Sequence, residues 1–186
     1  VGRLVYSAIA SLDGYVNDAG GGFEWAMPSD DLFAFVLERE RPRTTYLYGR
    51  RMYETMAVWE EWAQDESETE ATRDFGRMWS AAEKVVWSRT LEGVTTSRTR
   101  LEREFDPAAV RRLVDAAPGD VSIGVATLAH EALRAGIVDD LEVYAVPAVV
   151  GGGTPTLPTG IRLDLELVET ARFEQGATFA AYRVLG

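Results

Sequence analysis

Residues 44–54 read T-T-Y-L-Y-G-R-R-M-Y-E. Thr44 to Tyr48 is a short β-branched and aromatic run, the composition of a strand. Gly49 ends it, and Met52 to Met56 carries the pattern of the first turns of a helix. A strand that passes through one glycine into a helix is the joint of an α/β fold. Open α/β sheets bind ligands beyond the carboxyl ends of their strands, so this joint also has chemical meaning. Glycine lets the backbone approach a ligand. The helix start offers free N–H groups and the positive end of its dipole. Arg50 and Arg51 add planar forks suited to phosphate. The plainer reading of the two arginines is a solvated surface pair with carboxylate partners.

Similar junctions occur on both sides. Arg3 to Ala10, R-L-V-Y-S-A-I-A, reads as a buried strand closed by Ser11-Leu12-Asp13-Gly14, after which Tyr15-Val16 resumes an extended path. Lys84 to Ser88 is another strand, closed by Arg89-Thr90. Val121 to Gly124 is a third, opening through Val125 and Ala126 into a helix over Thr127–Ala135 that ends at Gly136. The segments Ser11–Gly14, Gly49–Arg51, Ser88–Thr90 and Gly124–Thr127 are therefore expected to share one rim. Between them, Met27 to Asp31 announces a helix capped by Ser29 or Asp30, with Leu32, Phe33, Phe35, Val36 and Leu37 as its apolar face and Pro42 as its stop. Ala71–Ala82 and Pro107–Ala116 are further helices, the latter with Asp106 as cap and Pro107 near its first position. Trp59 to Glu70 reads as an acidic surface excursion, and Arg98 to Phe105 alternates weakly.

The last third changes character. Leu141–Val150 reads as a strand with Pro147 inside, which suggests an edge position or a bulge. Gly151–Gly160 is a glycine- and proline-rich loop. Leu163–Phe173 and Thr178–Leu185 form an antiparallel hairpin around Glu174-Gln175-Gly176-Ala177. The expected fold is a three-layer α/β domain over residues 1–186: a mainly parallel twisted sheet, helices on both faces, and an antiparallel C-terminal hairpin.

Composition narrows the function. The chain has 186 residues, 46% hydrophobic and 26% charged, in the range of an ordinary globular domain. There is no cysteine and one histidine, His130, so thiolate chemistry is excluded, and neither a multi-histidine metal site nor any other metal site is expected. No apolar run approaches a membrane span. No signal peptide is expected, since the chain starts directly in a strand pattern, and a cytoplasmic setting fits. A net charge of −11 disfavours nucleic acid and anionic membranes. An anionic small ligand therefore needs locally clustered cations, and Arg50, Arg51 and Arg89 are placed to provide them.

Other candidates carry alternatives. Gly124 to Thr127 is either a second anion-binding turn or a tight strand-to-helix joint, and it lacks the full dinucleotide glycine pattern. Asp13, Asp30 and Asp31 can relay a proton or hold a cationic ring, whereas capping is the plainer role of Asp30 and Asp31 and a turn that of Asp13. Trp25 and Trp59 can stack on a flat substrate, or pack.

The segments Ser11–Val16, Tyr48–Glu54, Val86–Leu91, Gly124–Leu128, Ala135–Leu141 and Pro147–Thr154 together resemble the dihydrofolate-reductase-like superfamily. The branch that they resemble is that of the reductase domain of the riboflavin-biosynthesis deaminase-reductase and its stand-alone relatives. The resemblance implies an NADPH-dependent oxidoreductase of a small heterocyclic or carbonyl/imine substrate, similar to 5-amino-6-(5-phosphoribosylamino)uracil reductase. It implies that Gly49, Arg50 and Arg51 hold cofactor phosphates, and that Ser88 and Arg89 lie near the 2′-phosphate. Gly124, Val125, Ala126, Thr127 and Leu128 would lie under the pyrophosphate and nicotinamide, and Ser11 in the loop over the reaction centre. It also implies a homodimer. One departure stands out: Gly124-Val125 replaces a usual pair of glycines, and β-branched Val125 resists positive φ. A non-catalytic nucleotide- or small-molecule-binding protein that retains the fold is the alternative.

Overall fold

The computed structural model describes residues 1–186. Its strands are β1 (Leu4–Ser11), β2 (Tyr15–Asn17), β3 (Arg43–Gly49), β4 (Glu83–Trp87), β5 (Thr99–Glu102), β6 (Asp120–Ile123), β7 (Asp140–Val146), β8 (Thr154–Pro155), β9 (Asp164–Arg172) and β10 (Thr178–Leu185). Its helices are α1 (Asp30–Glu40), α2 (Arg50–Met56), α3 (Val58–Trp62), α4 (Glu70–Ala81), α5 (Pro107–Ala116) and α6 (Thr127–Arg134), with a 3-10 turn at Glu24–Ala26. One eight-stranded sheet runs in the order β5-β4-β3-β6-β1-β7-β10-β9, and β2 and β8 form a separate small pair. The strands β5 to β7 of that order are parallel, and β10 and β9 close it as an antiparallel hairpin.

Alternation along each strand builds the two faces. Leu4, Tyr6 and Ala8 of β1, Val121 and Ile123 of β6, and Leu47 of β3 pack with Val110 and Val114 of α5 and Leu128 to Leu133 of α6. On the other face, Tyr46 and Tyr48 of β3 and Val86 of β4 pack against Leu37 of α1 and Phe75 and Trp79 of α4. Trp79 is fully buried, and its Nε1–H donates to the Tyr48 hydroxyl at 2.9 Å. Trp79→Ala removes both the ring and that bond, a change that costs about 3–5 kcal/mol.

Charges bind the amino ends of the strands. Arg43 at the start of β3 reaches Asp120 and Glu142, both at 3.0 Å, and Arg39 of α1 reaches the same Glu142 at 2.5 Å and Glu169 of β9 at 2.7 Å. The Arg43 and Glu142 side chains are only 3% and 4% exposed, so this is an ion pair inside the protein. Burial drives the nearby Glu40 carboxyl above its usual range, and Tyr46 donates to it at 3.0 Å.

Several local expectations change. β7 ends at Val146, so Pro147 lies just outside the strand. β7 has hydrogen-bonded neighbours on both sides, and such a strand has no place for a residue without an N–H. Ser29 stands at the start of α1, yet its side chain makes no capping bond and donates instead to Asp31. The stretch from Trp59 is a helix in part: Trp59 of α3 lies 4.5 Å from Phe75 and 6.2 Å from Phe33 between ring centres, and Trp62 stands edge-on at 4.9 Å. Asp106 does cap α5, accepting from the Ala108 N–H at 3.0 Å.

Candidate active site at the carboxyl rim

The parallel strands bring Ser11, Gly49, Ser88 and Gly124 to one edge of the sheet. β6 is short: it pairs with Leu4–Tyr6 of β1 and ends at Ile123, while β1 continues to Ser11. β3 likewise runs on from Leu47, opposite Ile123, to Gly49, opposite Trp87 of β4. β1 and β3–α2 therefore extend beyond the turn Gly124–Ala126, which lies between them at the base of the candidate cleft.

The floor is packed from below. Gly124 is buried and its N–H donates to Leu47 O at 2.8 Å. A Cβ there would lie 2.8 Å from Tyr48 Cδ1 and 3.0 Å from Met52 Cγ, so glycine is what lets the turn sit against β3 and α2. Val125 does not adopt positive φ, and the Val125–Ala126 peptide is cis. The Val125 side chain packs on the main core, so the turn accommodates a β-branched residue without left-handed backbone. Thr127 is exposed, whereas Leu128 is buried and offers the rim only its backbone.

The cations gather on one side. Arg50 at the start of α2 donates to Glu54 at 2.8 Å and to the Thr90 hydroxyl at 2.9 Å, which joins α2 to the segment after β4. Arg51 and Arg89 are exposed and pair with no carboxylate. Ser88 shapes the turn that carries Arg89: its hydroxyl oxygen accepts from Leu91 N–H at 3.0 Å and Thr90 N–H at 3.3 Å. Arg103 braces the same turn from the end of β5, donating to Ser88 O at 2.9 Å and Leu91 O at 2.7 Å. The sequence reading did not single out Arg103, which falls inside the weakly alternating stretch Arg98–Phe105; β5 ends at Glu102, so Arg103 stands one residue past the strand.

On the other side, the loop after β1 is fastened down. Ser11 is buried and its oxygen accepts from Tyr15 N–H at 2.9 Å. Asp13 accepts from Val150 N–H at 3.1 Å and Gly151 N–H at 2.8 Å. The Ser11 hydroxyl and these two N–H groups hold the Asp13 carboxyl below its usual range. Gly153, at φ +139°, lies so close to the Asn17 carbonyl that no side chain fits. Thr156 O accepts from the Tyr6 hydroxyl at 2.8 Å and lies 3.2 Å from His130 Nε2, which gives the single histidine a structural contact.

Of the three aspartates, Asp31 is also engaged. It accepts from Ser29 Oγ, from its own neighbour Leu32 N–H at 2.8 Å and from Glu174 N–H at 2.9 Å. Ser29 and Glu174 hold its carboxyl below the usual range. Asp30 is exposed and makes none of these ties. Trp25 borders a cavity of about 350 Å³ between the 3-10 turn, α1, the end of β7 and the β9–β10 turn. Trp59 lies in the aromatic cluster under α1, apart from that cavity. A second concavity, of about 300 Å³, lies at the amino ends of the strands among Arg3, Arg39, Arg43 and their carboxylate partners. Those groups are matched in pairs, so we assign it to stability.

A family model described as the RibD C-terminal domain matches residues 3–179. The chain belongs to the RibD C-terminal domain family. This RibD-type chain is 22% identical over 183 residues to "Uncharacterized protein YyaP" of Bacillus subtilis, covering 97% of this chain and 94% of that protein. A putative riboflavin biosynthesis protein from Shewanella sp. PV-4 superposes with a TM-score of 0.73 at 16% identity, covering 99% of each chain. The dihydrofolate reductase of Enterococcus faecalis, complexed with NADP(H) and RAB-propyl, superposes with a TM-score of 0.65 at 15% identity, covering 99% of this chain and 97% of the reductase. The fold is therefore dihydrofolate-reductase-like, and the family supports a reductase-like role. No helix is long and apolar enough to cross a membrane.

Proposed function

We propose that this protein is an NADPH-dependent oxidoreductase that reduces a small heterocyclic or carbonyl/imine substrate. The observation that carries this is the open backbone at Gly49 beside two exposed, unpaired arginines on the same rim. Arg51 and Arg89 have the charge and the freedom to bind phosphate. Nothing lies within 4 Å of the position a Gly49 Cβ would take, so that backbone is open to close approach. In this reading Gly49, Arg50 and Arg51 hold the pyrophosphate side, Ser88 and Arg89 the 2′-phosphate, and Gly124 to Leu128 run under the nicotinamide. NADPH supplies the hydride when bound, and the protein supplies position and exclusion of water. Asp30 is the carboxylate free to exchange a proton, while Asp13 and Asp31 hold loops. The test is a titration of the protein with NADPH, followed by fluorescence, before any substrate is offered.

A second reading is a nucleotide- or small-molecule-binding protein without catalysis. Val125, in place of the glycine that the resemblance implies, favours it, because the turn under the proposed nicotinamide departs from the family's pattern there. Comparing NADPH affinity in wild type and Val125→Gly separates the two: a large gain in the variant favours the second reading.

The active unit is proposed to be a cytoplasmic homodimer. β9 is a nine-residue edge strand with no outer neighbour, and it exposes Leu165, Leu167 and Val168 at 38%, 57% and 54%. A free, apolar edge of that length is an aggregation hazard unless something covers it.

A further inference from the structure

Arg89 stands on a turn outside the regular elements, yet most of that turn's main chain is tied. β4 ends at Trp87 and β5 begins at Thr99, so residues 88–98 connect two parallel neighbours. The Ser88 N–H donates to Glu102 O at 3.0 Å. The Ser88 hydroxyl oxygen takes the N–H groups of Thr90 and Leu91. The carbonyls of Ser88 and Leu91 both go to one atom, Arg103 Nη1, at 2.9 and 2.7 Å. That nitrogen carries two hydrogens and both are used, so guanidinium and turn fix each other. Trp87 Nε1–H donates to Glu104 O at 3.0 Å, which laces β4 to the far side of Arg103 as well.

Arg103 makes this contact at the expense of others. It is exposed, and Glu102 and Glu104 flank it in a chain with 30 acidic residues. Even so it forms no ion pair, and Glu102 turns to Arg100 at 3.4 Å. Holding an exposed arginine on neutral carbonyls costs about 2 kcal/mol of rotamer freedom. Such ordering is useful where a group must be in place before its ligand arrives. The group placed by this turn is Arg89, which is exposed and unpaired.

We propose that Arg103 is a positioning residue for cofactor choice. Its grip on Ser88 O and Leu91 O holds Arg89 ready for a 2′-phosphate, so the preference for NADPH over NADH depends on a side chain that acts through Arg89. This rests on the reductase reading and on Arg89 as the 2′-phosphate ligand. With the brace gone, the turn must be ordered each time the phosphate binds, and affinity falls by that cost. NADH brings no 2′-phosphate, so its binding does not draw on the brace.

The test uses four proteins: wild type, Arg103→Ala, Arg89→Ala and the double variant. Each is titrated calorimetrically with NADPH and with NADH, and backbone order parameters are measured for residues 88–91 without cofactor. Arg103→Ala is expected to weaken NADPH about tenfold, the net worth of one or two hydrogen bonds, and to leave NADH within about twofold. The order parameters of Arg89 and Thr90 are expected to fall from about 0.85 to below about 0.6. In the Arg89→Ala background, Arg103→Ala is expected to change NADPH affinity less than about twofold, because the two residues act as one unit. Additive losses would make Arg103 a phosphate ligand in its own right and overturn the positioning role. Equal losses of NADPH and NADH on Arg103→Ala overturn it too, as does an NADPH affinity or a set of order parameters that Arg103→Ala leaves unchanged. A wild type that fails to bind NADPH overturns the reductase reading itself, and equal losses of both cofactors on Arg89→Ala overturn the 2′-phosphate assignment; either result removes the inference with its foundation.

Discussion

Asp13 Oδ2 accepts a hydrogen bond from the Gly151 N–H at 2.8 Å, which ties the loop after β1 to the glycine loop after β7. The same carboxylate takes the Val150 N–H, so one side chain holds both covers of the cleft on the β1 side. Asp13→Ala is expected to speed hydrogen exchange at the Val150 and Gly151 amides roughly tenfold or more, with smaller changes in the sheet. The carboxyl is held below its usual range, so the tie is fully present above about pH 4 and is lost as pH falls through the lower, folded-state value. Protection of those two amides should therefore be flat from neutral pH down to about pH 4. Loss of protection near pH 6 would mean that another group holds the loops.

Arg89 is exposed and unpaired, whereas Arg50 is shared between Glu54 and Thr90. Arg89→Ala is expected to weaken NADPH binding roughly 10- to 100-fold, the worth of charged hydrogen bonds to one phosphate, and to leave NADH nearly unchanged. Arg50→Ala, on the pyrophosphate side, should weaken both cofactors. Calorimetric titration with both cofactors checks this, and equal losses for NADPH and NADH on Arg89→Ala would remove the 2′-phosphate assignment.

Glu142 faces both Arg39 and Arg43 inside the protein. Glu142→Ala takes one of two carboxylate partners from the buried Arg43 guanidinium, and breaking a buried pair costs about 3–5 kcal/mol. Urea unfolding monitored by tryptophan fluorescence measures it. A loss under about 1 kcal/mol would show that Asp120 and Glu40 compensate.

The exposed Leu167 lies in the unpartnered β9 edge. Leu167→Asp is expected to turn a dimer into a monomer in sedimentation equilibrium while leaving the circular dichroism unchanged. An unaltered dimer would move the interface to another surface, and a monomeric wild type would end the dimer proposal.

The frame of the sheet was legible because its signals are local. The strand-glycine-helix joint at Tyr48–Met52, the Asp106–Pro107 helix start and the terminal hairpin each follow from a few neighbouring residues. The four rim segments could be foreseen because parallel strands must end on one side. What the sequence hid depends on contacts between distant segments. Asp13 reads as a turn residue until Val150 and Gly151 are seen to donate to it. The same holds for Asp31, whose partner Glu174 lies 143 positions away. Trp59 looks like part of an acidic surface because five acidic residues follow it within nine positions, yet its ring stacks under α1. The bulk of Val125 could be read, but not the backbone that accommodates it. The concavity beside Trp25 joins four separate segments, so no stretch of the chain announces it.

The most direct measurement is the affinity of the unmodified protein for NADPH, followed by quenching of its tryptophan fluorescence and by calorimetry. Micromolar or tighter binding, several-fold weaker for NADH and lost on Arg89→Ala, is what a working cleft over Gly49, Ser88 and Gly124 predicts. No binding at millimolar NADPH, in wild type and Val125→Gly alike, would contradict it.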